Sequence, residues 1–336
     1  LLQKADILTD GLQLTDTRLT QVQSDMTTQV STDTQSVNSM LQSIAALNLQ
    51  ISRFEVNSPG GAVDLRDSRQ AKLEELAAKM NFEVRDQPGS AGQIEIYTKD
   101  GMGAEVLLVS RAASATLAAS TDASGASLVT ASNIPGAAVG ATATLDIVSG
   151  SIKGAMDTFD TVQDMRDEND ALAAQLVTSV NAAYNPSGTG TDFFVATGVT
   201  AKTIERTSTI TAANLEPDLT SGGATGDTTI PNAVAAIASR IFSTSGSPAD
   251  LIDGTLSQHF LKSVTNLGQT LSGINSRLTD QQSIEKLVRT QRDSISGVSL
   301  DEEMADLMKY QRAFQGSSRI IAILDELMKT VVNLGA

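Results

Sequence analysis

The sequence predicts a mainly α protein: an elongated bundle of long coiled-coil-like helices formed by both chain ends, with a small β domain between them. Three observations predict it. Apolar residues recur at steps of three and four over more than 45 residues near the start of the chain. The same spacing returns from Leu261 to Leu334, and between the two lies a stretch that alternates apolar and polar residues around glycine-rich turns.

The first pattern runs through Leu8, Leu12, Thr15, Leu19, Val22, Met26, Val30, Asp33, Val37, Met40, Ile44, Leu47, Ile51 and Phe54. It is a heptad seam with one extra step of four at Met26 to Val30, and a helix of that length extends roughly 70 Å at about 1.5 Å per residue. "NSPGG" (Asn57 to Gly61) stops it, because proline followed by two glycines cannot continue a helix. A shorter helix, "DLRDSRQAKLEELAAKM", places Leu65, Leu73, Leu76 and Met80 on its apolar side. The period then changes to two in "FEVRDQPGSAGQIEIYTKDGMGAEVLLVS", with hairpin turns at "QPGSAGQ" and "KDGMG". From Arg111 to Gly150 the chain is mostly Ala, Ser, Thr, Gly and Val, which reads as thin strands such as "ATATLDIVS" joined by flexible loops, or as a low-complexity linker. Helix returns at Ile152 to Tyr184 and breaks at "NPSGTG"; short strand-like stretches "DFFVATG" and "KTIERTSTI" follow, and Pro231 suits a helix start.

Two long helical patterns complete the chain. One uses Leu261, Val264, Leu267, Leu271, Ile274, Leu278, Ile284, Val288 and Ile295. The other uses Leu300, Met304, Leu307, Gln311, Phe314, Ser317, Ile320, Leu324, Leu327, Val331 and Leu334, with Ser299 and Glu302 placed as a capping box after Gly297. Seams this long exceed what a small core covers, so the Leu8 to Phe54 and Leu261 to Ile295 helices are expected side by side. The domains read as 1–80, a long helix and a short one; 81–150, a β-rich outward-facing domain; 151–296, a helical body with a short β element near 191–210; and 297–336, a C-terminal helix.

Composition narrows the function. The chain of 336 residues has 3% aromatics, one His, no Trp and no Cys, which suits helical bundles and light β domains better than a deep cofactor pocket. A net charge of -15 without a concentrated basic patch argues against nucleic acid or an anionic membrane as partner. No 18-residue apolar run is present, and the lack of cysteine excludes a disulfide scaffold or thiolate site. His259 alone cannot build a histidine metal site. The acidic run Asp157, Asp160, Asp164, Asp167, Glu168 and Asp170 has Arg166 interleaved and reads as a solvated face rather than a cation site. No catalytic, cofactor-binding or metal-binding residue is assigned, and the chain is not expected to be an enzyme.

"SLDEEMADLMKYQRAFQGSSRIIAILDELMKTVVNL" carries the strongest signal. Its Leu300, Asp301, Glu302, Glu303, Met304, Ala305, Leu307, Tyr310, Gln311, Phe314, Gln315, Ser317, Ser318, Arg319, Ile320, Asp325 and Glu326 resemble the C-terminal segment of bacterial flagellar axial proteins. "LDEEMA" is most similar to the hook-associated protein 1 family of the hook–filament junction. "DLRDSR" (Asp64 to Arg69), "TDFF" (Thr191 to Phe194) and "AKTIE" (Ala201 to Glu205) resemble further stretches of that family, whereas Ala112 to Val148 matches no pattern in it.

The resemblance implies a secreted, extracellular structural subunit of the flagellum, an adaptor joining hook to filament by helical self-assembly. Its implied partners are further copies of itself in a ring or helical layer, the hook protein, the next junction protein toward the filament, and an export chaperone. The assembly and chaperone interface is expected at Leu300, Met304, Leu307, Gln311, Phe314, Ile320, Leu324, Leu327 and Val331. No counterpart of the family's N-terminal helical segment is found, so a partner for this stripe is expected upstream of Leu1 and on other chains. A different reading is an extracellular coiled-coil protein carrying a sugar-binding or hydrolase module, which needs aromatic platforms or paired carboxylates within Phe82 to Ser149.

Overall fold

The computed structural model describes residues 2–56, 59–90, 92–197, 199–213, 215, 228–296, 304, 307–315 and 317–319. Two compact units divide the chain, residues 1–263 and 264–336. The described part is mainly α with a small antiparallel β region between helices, as the sequence predicts.

In the first unit α1 (Leu2–Glu55) is one helix of 54 residues, about 80 Å long at ~1.5 Å per residue. Its long neighbour within that unit is α3 (Gly150–Tyr184), a pairing the sequence had not suggested. The two run antiparallel. Asn169 Nδ2 donates to Leu12 O, Arg166 Nε to Asp16 and Gln23 Nε2 to Gln163, so positions rise along one helix as they fall along the other.

The buried line of α1 differs from the expected seam. Thr9, Asp16, Gln23, Asn48 and Glu55 are buried, while their neighbours Leu8, Val22 and Phe54 are exposed. With half-buried Leu19 and Met26 included, the line steps regularly by three and four from Thr9 to Ile44. The extra step of four falls between Ile44 and Asn48, not between Met26 and Val30. On α3 the matching line is Ile152, Ala155, Phe159 and Val162, then half-buried Arg166 and Asn169, then Ala173, Val177, Val180 and Tyr184. Hydrophobic seams thus occupy both ends of the pair, and polar residues occupy the middle.

Each end has its own core. One joins Val37, Leu41 and Ile44 of α1, Leu76 of α2 (Val63–Ala77), the β insert and Ile152 of α3. The other joins Leu12, the second half of α3, Phe193, Phe194, Ile204, α4 (Thr229–Ile237), Phe242 and Ile252. The expected β element near 191–210 is a single Phe194–Arg206 bridge.

The β insert holds two antiparallel sheets. The first has the order β1 (Glu83–Asp86), β2 (Ile94–Lys99), β3 (Glu105–Ser110), β4 (Ala113–Ser114), and the second β5 (Thr116–Thr121), β6 (Ser127–Ser132), β7 (Ala143–Thr144). Its turns follow from local chemistry. Asp100 Oδ1 accepts the amides of Met102 and Ala104 in the "KDGMG" turn, and Asp122 does the same for Ser124 and Ala126. The low-complexity stretch is ordered strand rather than linker: Leu117, Val129 and Ala131 bury fully against α1 and the first sheet.

α5 (Leu256–Ser296) begins in the first unit, where Ser263 Oγ donates to the Glu168 carboxylate. In the second unit it continues to Ser296, and residues 307–315 and 317–319 are helical. The expected cap at Ser299 and Glu302 lies outside the described residues.

Candidate functional site

The predicted interface lies in the second unit. Met304, Leu307 and Phe314 are 62, 57 and 75% exposed, and Gln311 is exposed beside them. Leu307, Gln311 and Phe314 follow one another at steps of four and three, which places them on one helical face. Leu300, Ile320, Leu324, Leu327 and Val331 lie outside the described residues. On α5, Val264, Leu271, Ile274, Leu278 and Val288 are each more than half exposed and follow heptad spacing. Exposed large aliphatic side chains in register form a candidate docking surface.

The other predicted chemistry takes a structural form. Arg166, read as one cation within an acidic face, turns inward: Nε donates to Asp16 Oδ1 at 2.9 Å and a terminal nitrogen donates to Gln23 Oε1 at 2.9 Å. Asp170 accepts the Ala201 amide, and burial raises its carboxyl above the ordinary aspartate range. Among the described residues no group of three His, Asp or Glu side chains could hold a metal ion. His259 is half-buried, and its Nε2 has no hydrogen-bond partner among the described residues.

Cavities formed by described residues of the first unit include three of note. One, of about 530 Å³, lies between α1 and α2 with Glu75 as its single acidic residue. Another, of about 480 Å³, is apolar and lined by Tyr184, Phe193 and Phe194 among others, and the third, of about 600 Å³, runs beside Leu8, Leu172 and Phe260. None of the three is lined by a residue of the β insert or by two carboxylates, so they offer no support to the hydrolase or sugar-binding reading.

"DLRDSR" supplies two anchors that sequence reasoning did not assign. Arg66 holds Glu55 with two bonds of 2.8 and 2.7 Å, and Arg69, buried, donates to Asn48 Oδ1 at 2.8 Å and Gly92 O at 2.7 Å. Arg66 lowers the Glu55 carboxyl to about 2, and desolvation lowers Arg69 below the usual arginine range. The motif ties the end of α1, the start of α2 and the β1–β2 turn into one corner. Arginines spaced three apart at a helix start, after a glycine break, were the available signal.

Comparison with known proteins supplies the family. The model for the flagellar hook-associated protein FlgK helical domain matches residues 1–194, and that for the flagellar basal body rod FlgEFG protein C-terminal region matches 289–334. Flagellar hook-associated protein 1 of Bacillus subtilis is 24% identical over 348 residues, covering 94% of this chain and 67% of the relative. The Salmonella typhimurium protein of the same name is 26% identical over 80 residues, 24% of this chain and 14% of the relative. Among solved structures, the flagellar hook junction protein FlgK from Burkholderia pseudomallei superposes with a TM-score of 0.48 at 22% identity, over 58% of this chain and 35% of that one.

Proposed function

The chain belongs to the FlgK family of flagellar hook-associated proteins, structural proteins of the flagellum, and on that footing we propose that it is an adaptor subunit joining hook to filament by helical self-assembly. The observation that carries the reading is the paired match of family models at the two ends, 1–194 and 289–334, with the "LDEEMA" segment inside the second. The mechanism is geometric and needs no active site. A subunit that repeats head-to-tail about an axis uses two complementary faces. The exposed apolar residues of the C-terminal segment supply one: burying a side chain such as Leu307 or Phe314 at a contact contributes on the order of 1.5–3 kcal/mol. We assign residues 297–336 to the axial core and the β-rich 81–150 segment to its outside. The protein is exported to the cell exterior, with a chaperone covering the same stripe before secretion. Its neighbours are further copies, the hook protein and the next junction protein toward the filament.

Leu307→Asp with Phe314→Asp tests this. In a strain lacking the native gene, the variant is expected to keep parental circular dichroism yet fail to restore filament attachment, with flagellin lost to the medium. A folded double variant that restores motility to the parental level would overturn the assignment of the interface.

A further inference from the structure

We propose that Asn38 and Asn48 are positioning residues that fix the direction in which the β insert projects from α1, so that insert and helix act as one lever. Each amide occupies the place of a neighbouring strand. Asn38 Nδ2 donates to Leu117 O at 2.8 Å while its Oδ1 accepts Leu117 N–H at 2.7 Å. Asn48 Nδ2 donates to Ile94 O at 2.8 Å while its Oδ1 accepts Ile94 N–H at 3.3 Å. Leu117 belongs to the three-stranded sheet and Ile94 to the four-stranded one, so each sheet has its own anchor.

A third anchor stands where the chain leaves and rejoins the helical body. Ser151 N–H donates to Ala78 O at 3.0 Å and Ile152 N–H to Lys79 O at 3.2 Å. Asp33 on α1 accepts from Lys79 Nζ at 2.7 Å and Ser151 Oγ at 2.5 Å, binding both sides of this neck. Gly150 closes it with φ +87°; a Cβ there would lie 2.4 Å from the Lys79 carbonyl.

Three features make this a directional lock rather than ordinary packing. Apolar burial between α1 and the sheets is non-directional and tolerates small slides. The two asparagines stand ten residues apart, about 15 Å along the axis at ~1.5 Å per residue, which prevents tilting. Asp33 and Asn38 are separated by roughly 140° around the helix at about 3.6 residues per turn, which prevents rolling. Each amide is bidentate to one residue, so a shift breaks both bonds and strands buried partners. Asn48 is itself held by Arg69, and Gln93 Nε2 donates to its main-chain carbonyl at 3.3 Å.

The absence of native cysteine permits a direct test. Spin labels on Gln35→Cys of α1 and Met102→Cys at the exposed β2–β3 turn report the direction of the insert by pulsed electron resonance. The parent is expected to give one narrow distance. Asn38→Ala with Asn48→Ala should at least double its width while keeping parental helix content by circular dichroism. Asn181→Ala provides the matched control: its amide makes the same two-bond contact with Phe194 in the other core, so its loss should leave the labelled distance unchanged. Should the double variant fail to fold, Asn38→Asp keeps the acceptor for Leu117 N–H, loses the donor, and is expected to broaden the distribution alone. A folded double variant, or a folded Asn38→Asp, with the parental width would overturn the proposal.

Discussion

The Asp16 carboxylate is 2% exposed and pairs with Arg166 in the middle of the α1–α3 seam. Removing one member of a buried pair strands the other, so Arg166→Met is expected to lower stability by about 3 kcal/mol, whereas adding Asp16→Leu should recover most of it. Urea unfolding of the two variants checks both halves. Glu55 makes a pH-dependent contribution. Its folded pKa of about 2 lies below the ordinary 4.5, so the stabilisation is complete above 4.5 and lost as pH falls from there toward 2. Asp33 acts in the same direction: burial raises its carboxyl, but bonds from Lys79, Ser151 and Gln29 outweigh this and leave it below the usual range. The Glu55 contribution to the thermal unfolding midpoint should therefore be lost below pH 4.5, so the fall there is expected to be shallower in Glu55→Gln. Gly150→Ala combines a left-handed backbone with a Cβ against the Lys79 main chain. It should cost more than the ~1 kcal/mol typical of strained φ alone, read by the same urea titration.

The elements were legible in proportion to how far they rely on local pattern. α1, its stop at the Pro59-Gly60-Gly61 break, the first two hairpins of the first sheet and α3 all follow from periodicity and turn chemistry. The seam of α1 was misread by one position at Leu8, Thr15, Val22, Leu47 and Phe54, in four of the five because apolarity was taken as the sign of burial. Glu55 buries against nearby Arg66, whereas Asp16, Gln23 and Asn48 bury through partners distant in sequence: Arg166, Gln163 and Ile94 respectively. Nothing in a local window carries that information. The Ala- and Ser-rich segment misleads for the complementary reason, since few of its residues need be large when α1 covers one side. Leu117→Ala, 3% exposed in this thin layer, is expected to cost 2–5 kcal/mol, approximately that of a full-sized core position. Hydrogen exchange should then rise across β5 and β6 before it rises in α4.

At the scale of the molecule, the stripe of the C-terminal segment was visible as heptad spacing with no evident cover, and the described residues Met304, Leu307 and Phe314 remain exposed. Sequence pattern alone could separate neither a docking helix from a core helix nor a self-contact from a partner contact; "LDEEMA" and the two family matches supply the family, and the docking role of the stripe is the proposal built on it. The first unit carries its own two cores, and its buried Asp16 and Asp33 are paired with Arg166 and Lys79. A subunit of this kind acts through where it stands. The most direct measurement is therefore immunogold electron microscopy on intact flagella from cells expressing an epitope-tagged chain. The account predicts label confined to the boundary of hook and filament. Label distributed along the filament, at the basal body, or only on material free in the medium would contradict it.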